Sequence, residues 1–227
     1  MRGHTDARLA ACSPNGACRS PHADRRIPLQ NEQFRVLVVC TANLCRSPIA
    51  ETLLRKAVED RWAQSDEPHW TIRSAGSRAR SGEPMHPLAL AVIEEREAPA
   101  PEFRSQPLTA ALVAEADLIL TAERKHRAVV VTAVPSAVRR TFTLRQMARV
   151  ASAMDLMPSA GTASEMGAYL LKASVAARAQ LQPVSAELDD LADPVGHGIG
   201  TFRHCAATIN DAISDILLPI SVLPART

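Results

Sequence analysis

The sequence predicts an α/β protein in which a doubly wound, four-stranded parallel sheet carries helices on both faces and a helical insertion is added near its end. Short β-branched apolar runs alternate with stretches of helical period along most of the chain. Aromatic residues make up only 3% of a chain that is 46% hydrophobic, so the core must rest on Ala, Val, Leu and Ile, a composition that suits helices packed on a sheet. A length of 227 residues fits one ordinary domain with appendages.

Residues 1–33 scatter Arg, His, Pro and Gly without an apolar period and are expected to form a disordered tail, because they bury too little to offset their ordering entropy. Phe34–Val39 is an apolar run of the kind found in a parallel strand covered on both faces. After a turn, Ser47 and Pro48 supply an N-cap and first-turn pair, and Ile49, Leu53, Leu54, Ala57, Val58 and Trp62 recur at helical spacing. The alternation continues with a strand at Trp70–Ser74, a helix at Pro87–Glu95, a strand at Ala116–Leu120, a helix at Glu123–Val134 and a strand at Arg140–Thr143. Leu144–Leu181 is rich in Ala and Met and is divided by Pro158 and Gly161, which predicts a helical insertion near 145–182. Phe202, Cys205, Ile209, Ile213, Ile216 and Leu217 form the apolar stripe of a last helix that Pro219 ends. The expected folded unit is therefore 34–218, followed by a tail at 219–227.

Cys40-Thr41-Ala42-Asn43-Leu44-Cys45-Arg46-Ser47 lies between the first strand and the first helix. A loop of that length closing onto a helix N-terminus turns the backbone N–H groups of residues 41–47 inward, a cradle for a tetrahedral oxyanion that the helix dipole also favours. Arg46 adds a bidentate fork for phosphate oxygens. Inward N–H groups and a guanidinium also favour the thiolate, which predicts Cys40 as a nucleophile that attacks phosphorus, with the Ser47 hydroxyl helping the sulfur to leave. Such chemistry needs no metal and no cofactor. A leaving oxygen needs a proton, and Asp189-Asp190-Leu191-Ala192-Asp193-Pro194 offers three carboxylates, with Pro194 holding its neighbour out of the helical region.

Other classes of function find little support. A net charge of +2, from 26 basic and 24 acidic residues, with no Lys/Arg block interleaved with aromatics, argues against nucleic acid as a partner. No run of about 18 apolar residues occurs and the N-terminus lacks the apolar centre of a secretory signal, so no membrane association is expected and the expected compartment is the cytoplasm. Five cysteines in a chain of this size argue against a disulfide framework. Cys12 and Cys18 with His4 and His22 match no common zinc spacing, and Ala17–Pro21 echoes Leu44–Pro48 without a preceding strand or a nucleophile. His86 and His126 are expected on solvated surfaces.

Val39-Cys40-Thr41-Ala42-Asn43-Leu44-Cys45-Arg46-Ser47-Pro48 resembles the phosphate loop of low-molecular-weight protein tyrosine phosphatases, and Ser74-Ala75-Gly76-Ser77 resembles a segment after their second strand. Asp117–Leu120 and Thr141–Leu144 sit where that family has its third and fourth strands, and Asp193-Pro194 is similar to its general-acid loop. The resemblance covers about 34–218 without the insertion. It implies a flavodoxin-like fold, phosphomonoester hydrolysis through a phosphocysteine, and catalytic roles for Cys40, Arg46 and Asp193. It further implies that Thr41, Ala42, Asn43, Leu44, Cys45 and Ser47 bind the substrate phosphate, that Asn43 and Ser74 support the loop, and that the substrate is a phosphorylated protein or a small phosphoester.

The chain departs from the family pattern at several points. Ala42 replaces a Gly, which strains the loop if that position needs positive φ. Val195 and Gly196 stand where many members carry aromatics, which weakens the case for phosphotyrosine, and Leu44 replaces the Thr of phosphoarginine phosphatases. Relatives also imply a reversible Cys40–Cys45 disulfide and hence a thiol-redox partner. The rival readings are a thiol-dependent arsenate reductase, for which Cys205 on an apolar helix face is the one downstream thiol, and a regulatory module that binds an oxyanion without turnover.

Overall fold

A computed structural model describes residues 33–64, 69–98, 102–156, 161–182 and 184–220. Residues 1–32 of the expected tail, with Cys12, Cys18 and the Ala17–Pro21 echo, lie outside these residues, as do Pro158 and 221–227. Four parallel strands form one sheet in the order β2-β1-β3-β4: β1 (Arg35–Cys40), β2 (Thr71–Gly76), β3 (Leu118–Thr121) and β4 (Thr141–Thr143). The helices are α1 (Arg46–Arg61), α2 (Pro87–Glu94), α3 (Ala110–Glu115), α4 (Arg124–Ala133), α5 (Leu144–Ala151), α6 (Ala163–Arg178), α7 (Ala186–Asp189) and α8 (Ile199–Leu217).

The two-residue period of β1 divides the core. Val36, Val38 and Cys40 point into a large cluster that holds Ile49 and Leu53 of α1, Val92 and Ile93 of α2, and Phe202, Ile209 and Ile213 of α8. Leu37 and Val39 point the other way, into a smaller cluster with Val113 of α3 and Val130 of α4. Burial on both faces explains why the strand reads as a continuous apolar run. In this order the chain reverses direction between β1 and β3, so the crevice at the carboxyl ends of those strands is the place where an open α/β sheet receives ligands.

Several boundaries differ from the expected ones. Helix α1 begins at Arg46 with Cys45 in the N-cap position, because the Ser47 hydroxyl is used inside the loop instead of capping the helix. Trp70 precedes β2: its ring packs 5.0 Å from Phe34 and 6.0 Å from Trp62, and its indole N–H donates to the Ala163 carbonyl at 2.7 Å. Strand β3 starts at Leu118, after Asp117 has turned its carboxylate onto the Arg35 amide at 2.8 Å. The short helix α3 had no signal, since six residues are too few to show a period. Pro219 does not release the chain: Leu218–Ile220 form a 3₁₀ turn in which Pro219 and Ile220 are buried.

The segment near 145–182 forms α5, which follows β4 directly, and α6. Both join the main core through Met147, Ala148, Met166 and Leu170. Thr162 and Glu165 close a capping box at the start of α6. Gly167 then lets this helix lie on the fully buried Phe34, since a Cβ there would fall 2.4 Å from Phe34 Cγ. Gly167→Ala therefore sets an overpacking cost of about 1–3 kcal/mol against a helix-propensity gain of at most about 1 kcal/mol. The expected result is a lower midpoint of chemical denaturation, and an unchanged midpoint shows that the Phe34 ring yields.

Candidate active site

The loop after β1 is held from below and from the side. Gly76 ends β2 against it, where a Cβ would meet the Thr41 carbonyl oxygen at 2.7 Å, and the amides of Ser77 and Arg78 donate to the carbonyls of Cys40 and Thr41 at 2.9 and 2.8 Å. Asn43 takes the left-handed conformation at φ 58°, which its residue type tolerates. Positive φ among the described non-glycine residues falls at Asn43 and Glu97, not at Ala42, so the methyl group that replaces a glycine hydrogen there carries no backbone strain. The expected difficulty at Ala42 is absent because the turn places its strained residue one position later.

Asn43 is fully buried and all its side-chain polar atoms are engaged. Its Nδ2 donates to Ser47 Oγ at 3.0 Å and to Ser74 Oγ at 2.8 Å, and its Oδ1 accepts from the Gln106 amide at 2.9 Å. Ser74 Oγ donates in turn to Glu51 Oε2 at 2.5 Å. Ser47 Oγ shares a hydrogen bond with Cys40 Sγ, 2.9 Å away, and the Asn43 amide donates to the same sulfur at 3.3 Å. A hydroxyl and a backbone amide thus converge on one buried sulfur.

Arg46 is 2% exposed and is the centre of charge in the site. Its Nη1 donates to Glu123 Oε1 and, at 3.0 Å, to the Leu191 carbonyl. Its Nη2 donates to Asp193 Oδ2 at 2.7 Å and weakly to Thr41 Oγ1 at 3.5 Å. Burial raises the pKa of Glu123, but the bonds from Lys125 and Arg46 outweigh it and hold the carboxyl below its usual range. The three acids near 190 are separated by their partners. Asp189 is buried between Arg124 and Arg149 at 2.9 and 2.6 Å, and Asp190 Oδ1 accepts from the Arg124 amide at 2.7 Å. Asp193 is the one that reaches Arg46, with a side chain still 47% exposed.

Sequence reasoning missed Glu123 and Gln106 and misplaced His126. That histidine is 1% exposed, not solvated, with Nε2 2.8 Å from Thr41 Oγ1. Desolvation, reinforced by Arg46 and Lys125 and opposed by Glu123, pulls its pKa down to about 4, so it is neutral at ordinary pH and adds no positive charge beside Arg46. His86 is also not free in solvent: its ring stacks on Phe202 at 4.9 Å and its Nδ1 caps α2. No positional signal marked Glu123, Gln106 or His126, because each lies far along the chain from the group it serves.

Cys45 is buried, and desolvation followed by repulsion from Cys40 pushes its thiol up to about 12. Cys205 is buried on α8, and desolvation pushes it up to about 11. Both are free thiols and poor nucleophiles as they stand. Val195 is 55% exposed and Gly196 has φ 84°, so the turn after Pro194 builds no aromatic wall.

A pH prediction follows from His126. The unfolded chain takes up its proton near pH 6.5, and the folded site resists protonation until about pH 4. Its contribution to stability is therefore complete above about 6.5 and is lost as pH falls through that window. His126→Gln is expected to flatten the fall of Tm between about pH 6.5 and pH 4 relative to the parent chain, and parallel curves remove the assignment.

Comparison with known proteins adds an independent line. A sequence model of the low molecular weight phosphotyrosine protein phosphatase family matches residues 35–157. EpsP of Ralstonia nicotianae, named a probable low molecular weight protein-tyrosine-phosphatase, is 36% identical over 112 residues, 49% of this chain and 71% of that protein. The structure of the YwlE arginine phosphatase from Geobacillus stearothermophilus is 26% identical with a TM-score of 0.55, covering 80% of this chain and 89% of that one. The tyrosine phosphatase AmsI of Erwinia amylovora shares the fold with a TM-score of 0.59 at 22% identity, covering 86% of this chain and 97% of that one.

Proposed function

The chain belongs to the low molecular weight phosphotyrosine protein phosphatase family and is a cysteine-dependent phosphatase, and from that premise we propose that Cys40, Arg46 and Asp193 carry the reaction. The observation that supports this assignment best is the contact of Asp193 with Arg46, which brings a residue 147 positions away to the mouth of the Cys40 loop. A phosphate group entering the cradle takes Arg46 donors that Asp193 and Glu123 now hold. Cys40 Sγ attacks phosphorus, the ester P–O bond breaks, and protonated Asp193 gives its proton to the leaving oxygen. Water then attacks the phosphocysteine, the Asp193 carboxylate takes a proton from that water, and the Ser47 hydroxyl donates to the departing sulfur. The amides of residues 41–47 stabilise the equatorial oxygens in both steps.

The substrate proposed is a phosphorylated protein side chain on an exposed segment, with small phosphoesters as the alternative, because the turn at Val195 and Gly196 gives a ring little to stack on. The compartment proposed is the cytoplasm; among the described residues no helix is long and apolar enough to cross a membrane. Relay of electrons as in arsenate reduction is disfavoured by the buried, high-pKa thiols of Cys45 and Cys205.

Cys40→Ser is expected to reduce aryl phosphate turnover to background, and turnover that persists would refute the nucleophile. Asp193→Asn is expected to slow poor leaving groups by about 10²–10⁴-fold and good ones far less, whereas an equal drop across a series of phenols removes the general-acid role.

A further inference from the structure

A second concentration of positive charge lies over the β4 edge of the sheet. There α4, α5 and the end of α6 enclose a cleft of about 360 Å³ lined by Arg124, Arg127, Gln146, Arg149, Arg178 and Asp189. Four guanidinium groups share one carboxylate: Asp189 pairs with Arg124 and Arg149, which leaves Arg127 and Arg178 without an anionic partner within the cleft and the cluster with an excess of positive charge. Arg127 donates its Nε to the Thr141 carbonyl at 3.1 Å, and Arg178 donates to the carbonyls of Thr141 and Arg139 at 3.1 and 3.3 Å. Neutral carbonyls orient these side chains but do not neutralise them. Arg149 gives Nη2 to Asp189 at 2.6 Å, and its Nε is buried without a partner.

The cost of this arrangement is visible at Arg178, whose pKa is lowered first by burial and then by the like charges of Arg127 and Arg139. Four partly buried cations converging on an open cleft are an expensive way to hold three helices together, since one carboxylate, the Phe142 ring 4.2 Å from Arg178 and neutral carbonyls leave part of the mutual repulsion standing. A multivalent anion removes that repulsion. Guanidinium forks match phosphate oxygens bidentately, and the cleft is of a size that admits a small ligand and not a folded partner.

We propose that this cleft is a binding site for a diphosphate-class anion, either free pyrophosphate or the diphosphate of a nucleotide. The site shares no residue with the Cys40 loop and does not depend on the chemistry assigned to it.

The test is calorimetric titration of the full chain with sodium pyrophosphate at fixed ionic strength. Two sites are expected in the parent protein, one in the Cys40 loop and one in the cleft. Arg127→Gln and Arg149→Gln should each weaken the second site by about tenfold or more, the loss of one charge-assisted hydrogen bond, while aryl phosphate turnover persists in Arg127→Gln. A parallel titration with ADP separates the two sources: equal affinity points to the free anion, tighter binding to the nucleotide, and both support the site. If the variants fail to fold, pyrophosphate should still protect Arg127 and Arg149 of the unmodified chain from phenylglyoxal. Pyrophosphate binding undiminished in the folded variants, whether at one site or two, or no protection of Arg127 and Arg149, overturns the proposal.

Discussion

A single buried guanidinium organises this molecule. Arg46 is 2% exposed, and a charge so placed costs several kcal/mol unless each donor finds a partner. Its partners come from three segments: Thr41 in its own loop, Glu123 after β3, and the Leu191 carbonyl and Asp193 in the stretch between α7 and α8. Ordering this one side chain therefore fixes how the β1–α1 loop, the β3–α4 turn and the 191–193 stretch meet at the carboxyl edge of the sheet. The Leu191 amide adds to the same closure by donating to the Ala122 carbonyl at 2.8 Å.

The second constraint is the shape of the loop itself. Preorganised amides are useful only if they do not have to reorganise when charge arrives. Asn43 meets that need by spending every polar atom of its side chain on Ser47, Ser74 and Gln106 while it occupies a left-handed turn. Gly76 allows β2 to press against the loop from the adjacent strand. The rigidity of the loop thus derives from the sheet, where β1 and β2 pair along their full length from Arg35 and Thr71 to Cys40 and Gly76.

The carboxylates illustrate how partners assign roles to equivalent chemical groups. Asp189, Asp190 and Asp193 lie within five residues, yet the first two are engaged by Arg124 and Arg149 and anchor their segment, and the third remains half exposed beside Arg46. The helices near 145–182 take part in this sorting, since Arg149 of α5 is one of the two cations that hold Asp189. What reads in the sequence as an insertion is built into the main core and reaches toward the site.

The sequence by itself determined the fold class, the alternation of the four strands with the longer helices, and the loop from Cys40 to Ser47, because these depend on local patterning: two-residue and 3.6-residue apolar periods, turn residues, and the spacing of a cysteine and an arginine across one helix start. Only the tertiary structure decided that Ser47 serves the sulfur and not the helix cap, that His126 is buried and neutral, that Glu123 and Gln106 belong to the site, and which of three aspartates faces Arg46. The physical reason is that burial and ion pairing are properties of distant segments brought together. Arg46 and Asp193 lie 147 positions apart in the chain and 2.7 Å apart in space, and no local period carries that information.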